Sequence, residues 1–209
     1  MKIVIDIDNT VVDYRKSLFN YLAKSNIFLK EINPKNKMNF IKSIIKKKYG
    51  DAFWQSIQAY IYSDLSNDVK FYNNCSSFIK EAFLANFDIY LLSHKTKFGL
   101  KQAKNINIRE IAFKRISNWI NEEKIQECIK EIIFTDTFEE KISFIKKIDP
   151  LIIIDDLLAI HAEIIKSKKN SSKYINVLFE GNDYIVSIKK TEKIFRANNW
   201  IEISEFLLN

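Results

Sequence analysis

MKIVIDIDNT (residues 1–10) joins an apolar run to two closely spaced aspartates. The run Ile3–Ile7 is apolar at successive positions apart from Asp6, which is typical of a strand buried on both faces of a parallel sheet. Asp6 stands near the end of this run, and Asp8 follows two positions later. In open parallel sheets the ligand site lies beyond the carboxyl ends of the strands. The segment therefore predicts a functional edge where the first strand ends.

Further along the chain, apolar runs alternate with segments of helical periodicity. The predicted strands after the first are Ile89–Leu92, Ile132–Phe134, Leu151–Ile154 and Tyr174–Phe179. The predicted helices are Phe98–Lys104, Ile108–Asn121, Phe138–Lys147 and Leu157–Lys166, and an apolar segment at Phe206–Leu208 closes the chain. Strands that alternate with helices predict an α/β fold, a Rossmann-like open parallel sheet with helices on both faces. Residues 168–197 are otherwise weakly patterned, and we assign them no role.

The segment between the first two predicted strands is much longer than a strand–helix–strand crossover requires. Residues 13–68 within it have helical periodicity, with apolar residues at Leu18, Leu22, Ile41 and Ile45 among others. We interpret them as a helical cap inserted after the first strand and packed over the site. The core domain would then comprise residues 1–12 and 69–209. The alternative is that residues 13–68 belong to the main core.

Polar or charged residues follow each of the first four core strands. They are Asp6 and Asp8 after the first, Ser93 after the second, Lys141 on the helix after the third, and Asp155 and Asp156 after the fourth. Several carboxylates that converge on one point repel each other, and their pKa values rise. A hard divalent cation relieves this repulsion, and Mg²⁺ prefers oxygen ligands, although Mn²⁺ would also fit. The pattern therefore predicts a Mg²⁺ site with Lys141 as an additional compensating charge.

The same residues suggest a reaction on phosphorus. An aspartate can act as a covalent nucleophile, and we assign this role to Asp6. Asp8 would protonate the leaving oxygen and later take a proton from the attacking water. Ser93 would hydrogen-bond the transferring phosphoryl group, while Lys141 and Mg²⁺ neutralise its charge. The residues that follow Ser93 are candidate substrate contacts: His94, Lys95 and Thr96.

These residues together resemble the motifs of a known family. Asp6-Ile7-Asp8-Asn9-Thr10 resembles the first motif, D-x-D-x-T, of the haloacid dehalogenase-like (HAD) superfamily. Ser93 resembles the second motif and Lys141 the third. Ile154-Asp155-Asp156 resembles the fourth, so all four occur in the family's order. The resemblance implies a Rossmann-like core and an aspartyl-phosphate intermediate, and the insertion resembles a small helical cap of this family.

The resemblance also implies a ligand set for the metal. Mg²⁺ would be held by Asp6, by Asp8 through its backbone carbonyl, and by Asp155, with Asp156 acting through a water. A carboxylate at position 8 points to phosphoryl transfer rather than dehalogenation. Asn9 departs from the glycine of many members, but asparagine tolerates the unusual φ values that this position requires.

Composition excludes several other classes of protein. The chain has only three glycines and no glycine-rich phosphate loop, which argues against dinucleotide and P-loop chemistry. Two histidines and two separated cysteines give no zinc-type spacing and no disulfide framework. The formal charge of +7 admits a nucleic-acid partner, but the abundance of Lys, Asn and Ile favours a simple compositional bias. With no signal peptide and no long apolar run, we expect a cytoplasmic protein without a membrane partner.

We therefore expect a Mg²⁺-dependent phosphatase that acts on a small phosphate monoester, such as a sugar phosphate or a nucleotide. Three alternatives stay open: a nucleic-acid end phosphatase, a phosphotransferase or mutase, and a non-catalytic phospho-binding protein. The sequence leaves the substrate and the oligomeric state open.

Overall fold

The computed structural model describes residues 1–63, 66, 68–98, 106–167, 174–180 and 194–208. The helix predicted over residues 98–104 lies outside these ranges except for Phe98.

Six parallel strands form the main sheet. They are β1 (Lys2–Asp6), β4 (Asp88–His94), β5 (Ile129–Thr135), β6 (Ile152–Asp155), β7 (Ile175–Phe179) and β8 (Ile194–Ala197). Their order across the sheet is β5-β4-β1-β6-β7-β8, and every neighbouring pair is parallel. The first strand thus lies inside the sheet between β4 and β6, so the ends of the three strands meet at one place.

Helices cover both faces of this sheet, as the strand pattern predicts. On one face, Ile3 and Ile5 of β1 share an apolar cluster with helices α3 (Cys75–Leu84), α4 (Ile108–Glu123) and α7 (Trp200–Leu207). On the other face, Val4 packs in a second cluster with α5 (Phe138–Ile148) and α6 (Leu158–Lys166). Because successive side chains of a strand point to opposite faces, a run such as Ile3–Ile5 is buried throughout. The predicted α/β fold class is confirmed.

Two elements near the end of the chain were missed by the sequence pattern. Strand β8 lies at the edge of the sheet in the weakly patterned region, and its four residues (IFRA) include a charged arginine. Helix α7 begins at Trp200, well before the predicted Phe206–Leu208 segment. The Asn199 side chain caps it by accepting a hydrogen bond from the Glu202 backbone N–H. None of the described helices is long and apolar enough to cross a membrane.

The insertion is helical, with α1 (Arg15–Lys24) and α2 (Met38–Ile61) as its main elements. Strands β2 (Val12–Asp13) and β3 (Lys70–Phe71) pair antiparallel and bring its two ends together. Helix α2 is broken at Gly50, whose φ of 82° lies in the left-handed region that favours glycine. Leu18 and Leu22 of α1 belong to the same apolar cluster as β1, so the insertion packs directly on the core. Its division from the core as a separate cap domain stays a prediction.

Candidate active site

The loop after β1 turns sharply and is fixed by its own backbone. The N–H groups of Val11 and Val12 both donate to the carbonyl of Ile7, at 3.0 and 2.9 Å. Asn9 lies in the left-handed region with a φ of 60°, the conformation anticipated for this position. The Thr10 hydroxyl donates to Asp6 Oδ2 at 3.2 Å. The turn therefore holds the Asp6 carboxylate at the end of its strand.

Lys141 connects the end of β1 to the end of β6. Its Nζ lies 2.5 Å from Asp6 Oδ1 and 2.7 Å from Asp155 Oδ2, and the three side chains are almost completely buried. Lys141 is in the first turn of α5, which Thr137 caps by accepting from the Glu140 N–H. Burial would lower the pKa of Lys141, but the charges of Asp155 and Asp6 outweigh it and raise that pKa. Lys141 is therefore a fixed cation at the centre of the site.

Asp6, Asp155 and Asp156 form a buried group of carboxylates. One oxygen from each lies within 4.8 Å of the others, which is close enough to share a metal ion. Burial raises the pKa of Asp6 to about 7, with Lys141 opposing the rise and Asp155 adding to it. Burial and the charge of Asp6 likewise raise the pKa of Asp156 well above its usual value. Three carboxylates against one ammonium leave surplus negative charge when ionised, so this oxygen donor set suits a hard divalent cation.

Asp8 has different neighbours. Its Oδ2 accepts a hydrogen bond from the Ser93 hydroxyl at 2.7 Å, and its Oδ1 accepts one from Lys95 Nζ at 2.9 Å. Burial alone would raise the pKa of Asp8, but the charge of Lys95 and hydrogen bonds from Lys95, Ser93 and Tyr14 hold it below its usual value. Two aspartates two residues apart thus have pKa values shifted in opposite directions. Such a division is typical of carboxylates with different roles in one site.

Lys95 is buried and lies between the core and the insertion. Its Nζ is 3.6 Å from the ring centroid of Tyr62, the residue that follows α2, and 5.7 Å from that of Tyr14. Arg109 of α4 donates to the Lys95 carbonyl from Nε and Nη2, at 3.1 and 2.8 Å, and pairs with Asp136 at 2.6 Å. These contacts fix the backbone of the loop after β4.

A cavity of about 330 Å³ opens beside Lys95. Its lining comes from α2 and the following residue on one side (Lys42, Gln55, Gln58, Ala59, Tyr62) and from the core on the other (His94, Lys95, Thr96, Ile108). Its volume falls within the range of small-molecule sites. His94 Nε2 lies 3.1 Å from the Asp136 carbonyl oxygen, and the Thr96 hydroxyl donates to the Phe98 carbonyl oxygen.

The structure divides the predicted site residues into two groups. One gathers Asp6, Lys141, Asp155 and Asp156, and the other gathers Asp8, Ser93 and Lys95. Asp8 is a predicted metal ligand, but its carboxylate is not part of the group formed by Asp6, Asp155 and Asp156. Ligation of the metal by the backbone carbonyl of Asp8 stays a prediction. Asp155 Oδ1 also accepts from the Leu157 N–H, ahead of α6. The catalytic and ligand roles of all these residues stay predictions.

Several residues at the site were not singled out from the sequence. They are Thr10, Tyr14, Lys42, Gln55, Gln58 and Arg109. Thr10 could have been found from its place in the D-x-D-x-T motif. The cavity residues of α2 carry no comparable signal, because a lysine or glutamine on a helix is ordinarily a solvated residue.

Comparison with known proteins supports the fold. No protein-family model and no curated protein matches the sequence. Among solved structures, a predicted phosphatase from Clostridium acetobutylicum has a TM-score of 0.61 and 14% identity, over 99% of this chain and 97% of its own. A HAD-superfamily hydrolase from Ehrlichia chaffeensis has a TM-score of 0.53 and 14% identity, over 100% and 97%. Protein tyrosine kinase A of Mycobacterium tuberculosis has a TM-score of 0.55 and 12% identity, over 98% and 97%. The chain therefore has a HAD-like fold, which is the fold that the resemblance of its four motifs implied.

Proposed function

We propose that this protein is a Mg²⁺-dependent phosphatase that hydrolyses a small phosphate monoester through an aspartyl-phosphate on Asp6. The observation that carries the proposal is the convergence of Asp6, Asp155 and Asp156 around Lys141 at the ends of β1 and β6. This arrangement supplies a carboxylate nucleophile, a fixed cation and a set of oxygen ligands in one buried place. The HAD-like fold and its hydrolase and phosphatase neighbours are consistent with it.

The donor set fits a divalent cation. Asp6, Asp155 and Asp156 would hold it, since their oxygens are hard ligands and their mutual repulsion already raises pKa values in the site. When bound, Mg²⁺ would neutralise charge on the phosphate oxygens. Lys141 adds a further positive charge beside Asp6 that does not depend on the metal.

The residues of the chain account for both halves of the reaction. A carboxylate oxygen of Asp6 attacks phosphorus in line, forming an acyl phosphate as the bond to the leaving oxygen breaks. Asp8 is ionised in the free site, and the negative charge of the bound ester raises its pKa so that it takes up a proton. It gives this proton to the leaving oxygen, then takes one from the water that attacks the phosphoryl group and releases Asp6 and phosphate. Ser93 and Lys95 orient Asp8 through their hydrogen bonds to its two carboxylate oxygens. A free lone pair leaves Asp8 able to accept a proton in the second half.

A phosphotransferase is the second candidate. One structural neighbour is named a protein tyrosine kinase, and the same residues would serve if an alcohol rather than water accepted the phosphoryl group. The cavity favours a small ester over a nucleic-acid end, because its volume of about 330 Å³ is that of a small-molecule site and its lining comes from both the insertion and the core.

The test is phosphate release from a panel of small phosphomonoesters, with Mg²⁺ and with EDTA. We expect metal-dependent release that Asp6→Asn reduces by about 10³-fold or more. Asp88→Asn is the matched control, because Asp88 is exposed and lies at the opposite end of its strand from the site. A phosphoryl group trapped by acid quench should be found on Asp6 in the wild type. Full activity of Asp6→Asn would overturn the mechanism, and phosphate transfer to an added alcohol without release would favour the transferase.

A further inference from the structure

The charged side chains that line the cavity beside Lys95 are positive. Lys42 and Lys95 both line it, and none of its lining residues in the described part of the chain is a carboxylate. Gln55 and Gln58 add amide groups, while Ala59, Ile108 and the Tyr62 ring supply apolar surface. A concave site with a net positive lining attracts an anionic ligand more strongly than a neutral one.

The cavity is on the leaving-group side of the site. Lys95 reaches from it to the carboxylate of Asp8, which the proposed mechanism uses to protonate the leaving oxygen. Asp6, Asp155 and Lys141, which are paired with one another, do not line the cavity. A phosphate ester attacked by Asp6 would therefore extend its alcohol portion past Asp8 and into the cavity.

Lys42 is the cation in this cavity whose charge is not already paired. Lys95 is bonded to Asp8, whereas Lys42 has no carboxylate within 4.0 Å in the part of the chain that the structure describes. One turn earlier on α2, Asn39 donates to the backbone carbonyl of Asp156 at 3.4 Å, so this part of the helix lies against the site. Burial, aided by the charge of Lys46, lowers the pKa of Lys42 against the opposing charges of Asp156 and Asp51.

We propose that Lys42 binds a second anionic group, a carboxylate or a second phosphate, on the leaving group of the substrate. The substrate class is then a phosphate monoester whose alcohol portion is itself anionic. The inference rests on the proposed function for the orientation of the ester, and on the cavity alone for the binding of the second anion. An ion pair that fills a half-buried site of this kind discriminates against a neutral analogue, because the analogue leaves the ammonium group without a partner.

Matched pairs of esters test the proposal. One pair is 3-phosphoglycerate and glycerol 3-phosphate, which differ by a carboxylate in place of a hydroxymethyl group. The other is fructose 1,6-bisphosphate and fructose 6-phosphate, which differ by a phosphate. Affinities are measured by calorimetry on Asp6→Asn, and kcat/KM is measured on the otherwise wild-type chain. We expect the member with the second anionic group to be preferred by about tenfold or more in at least one pair. The pair with the larger preference tells whether Lys42 takes a carboxylate or a phosphate.

The substitution Lys42→Gln should abolish that preference, and Lys42→Arg should retain most of it. Lys46→Gln is the control, since Lys46 is on the same helix, pairs with Asp51 and does not line the cavity. The proposal is overturned if neither pair shows a preference, or if Lys42→Gln and Lys46→Gln have the same effect on it. Loss of phosphate release from every ester with the binding preference intact would refute the phosphatase and leave the anion site standing.

Discussion

The ammonium group of Lys95 lies 3.6 Å from the ring centroid of Tyr62, in a contact between the loop after β4 and the end of α2. The same ammonium donates to Asp8 Oδ1 at 2.9 Å. A cation over an aromatic face in a desolvated place contributes about 2 kcal/mol. One buried lysine thus links the helical insertion to the carboxylate that we assign to proton transfer.

Replacement of Lys95 should raise the pKa of Asp8. The charge of Lys95 and its hydrogen bond are the main causes that hold this pKa low against burial, so Lys95→Met removes them and leaves burial to dominate. We expect the pKa of Asp8 to rise, measured from the titration of its carboxyl carbon by NMR on aspartate-labelled protein. Lys97→Met removes an exposed lysine two residues further along and should leave the pKa of Asp8 unchanged. An unchanged Asp8 titration in Lys95→Met would contradict the assigned role of Lys95.

Stabilisation by Mg²⁺ should increase with pH. Burial raises the pKa of Asp6 to about 7 and that of Asp156 well above its usual value. Each group then adds stability to the metal-free protein below the unfolded pKa, near 3.8, and this stability is lost as pH rises through the folded pKa. Mg²⁺ binds the ionised form, so protons compete with it at low pH.

The measurement is the thermal unfolding midpoint with and without MgCl₂ from about pH 5 to about pH 8. A hundredfold excess over Kd adds about 2.7 kcal/mol, which corresponds to roughly 5–10 °C in Tm at the upper end of this range. The gain should shrink toward the acidic end. Asp156→Asn should reduce both the gain and its pH dependence, whereas Asp88→Asn should alter neither. A Mg²⁺ effect that is equal at all pH values would argue against binding at these carboxylates.

Arg115 should be important for the attachment of the insertion. Its guanidinium donates to the carbonyl oxygens of Ile61, Ser63 and Ser66, at 3.1, 2.5 and 2.8 Å, where the chain leaves α2. Arg115→Ala removes these three hydrogen bonds and should lower the free energy of unfolding by about 3 kcal/mol, measured by urea denaturation. Lys114→Ala, an exposed neighbour on α4, should change it by less than about 0.5 kcal/mol. Equal stabilities of the two variants would show that the three bonds do not hold this segment.

The core strands and most of the site could be predicted because both depend on local patterns. Continuous apolar runs mark β1, β4 and β6, and the polar residue after each run, such as Asp6 or Ser93, lies at the same sheet edge by the geometry of parallel strands. Lys141 is early in α5, close to the end of β5, whereas Lys146 and Lys147 lie in its last turn. The structure buries Lys141 against Asp6 and leaves the other two exposed.

Other features depend on contacts that no local pattern encodes. Strand β8 is short, lies at the sheet edge and contains Arg196, so its pattern is too weak to detect. The pairing of Lys95 with Asp8 joins residues 87 positions apart, and nothing in the sequence distinguishes Lys95 from its neighbour Lys97. The exposure of Lys42 to the cavity likewise follows from how α2 packs across the site.

The indole N–H of Trp200 donates to the carbonyl of Thr10 at 3.0 Å, although 190 residues separate them. Trp200 is fully buried in the apolar cluster that includes β1. Helix α7 therefore supports the turn after β1, in which Thr10 donates a hydrogen bond to Asp6. During synthesis Thr10 leaves the ribosome long before Trp200, because the chain emerges from its amino-terminal side. The nascent chain therefore contains Asp6, the proposed nucleophile, before that support exists. Formation of the proposed site must therefore wait until α7 has been synthesised.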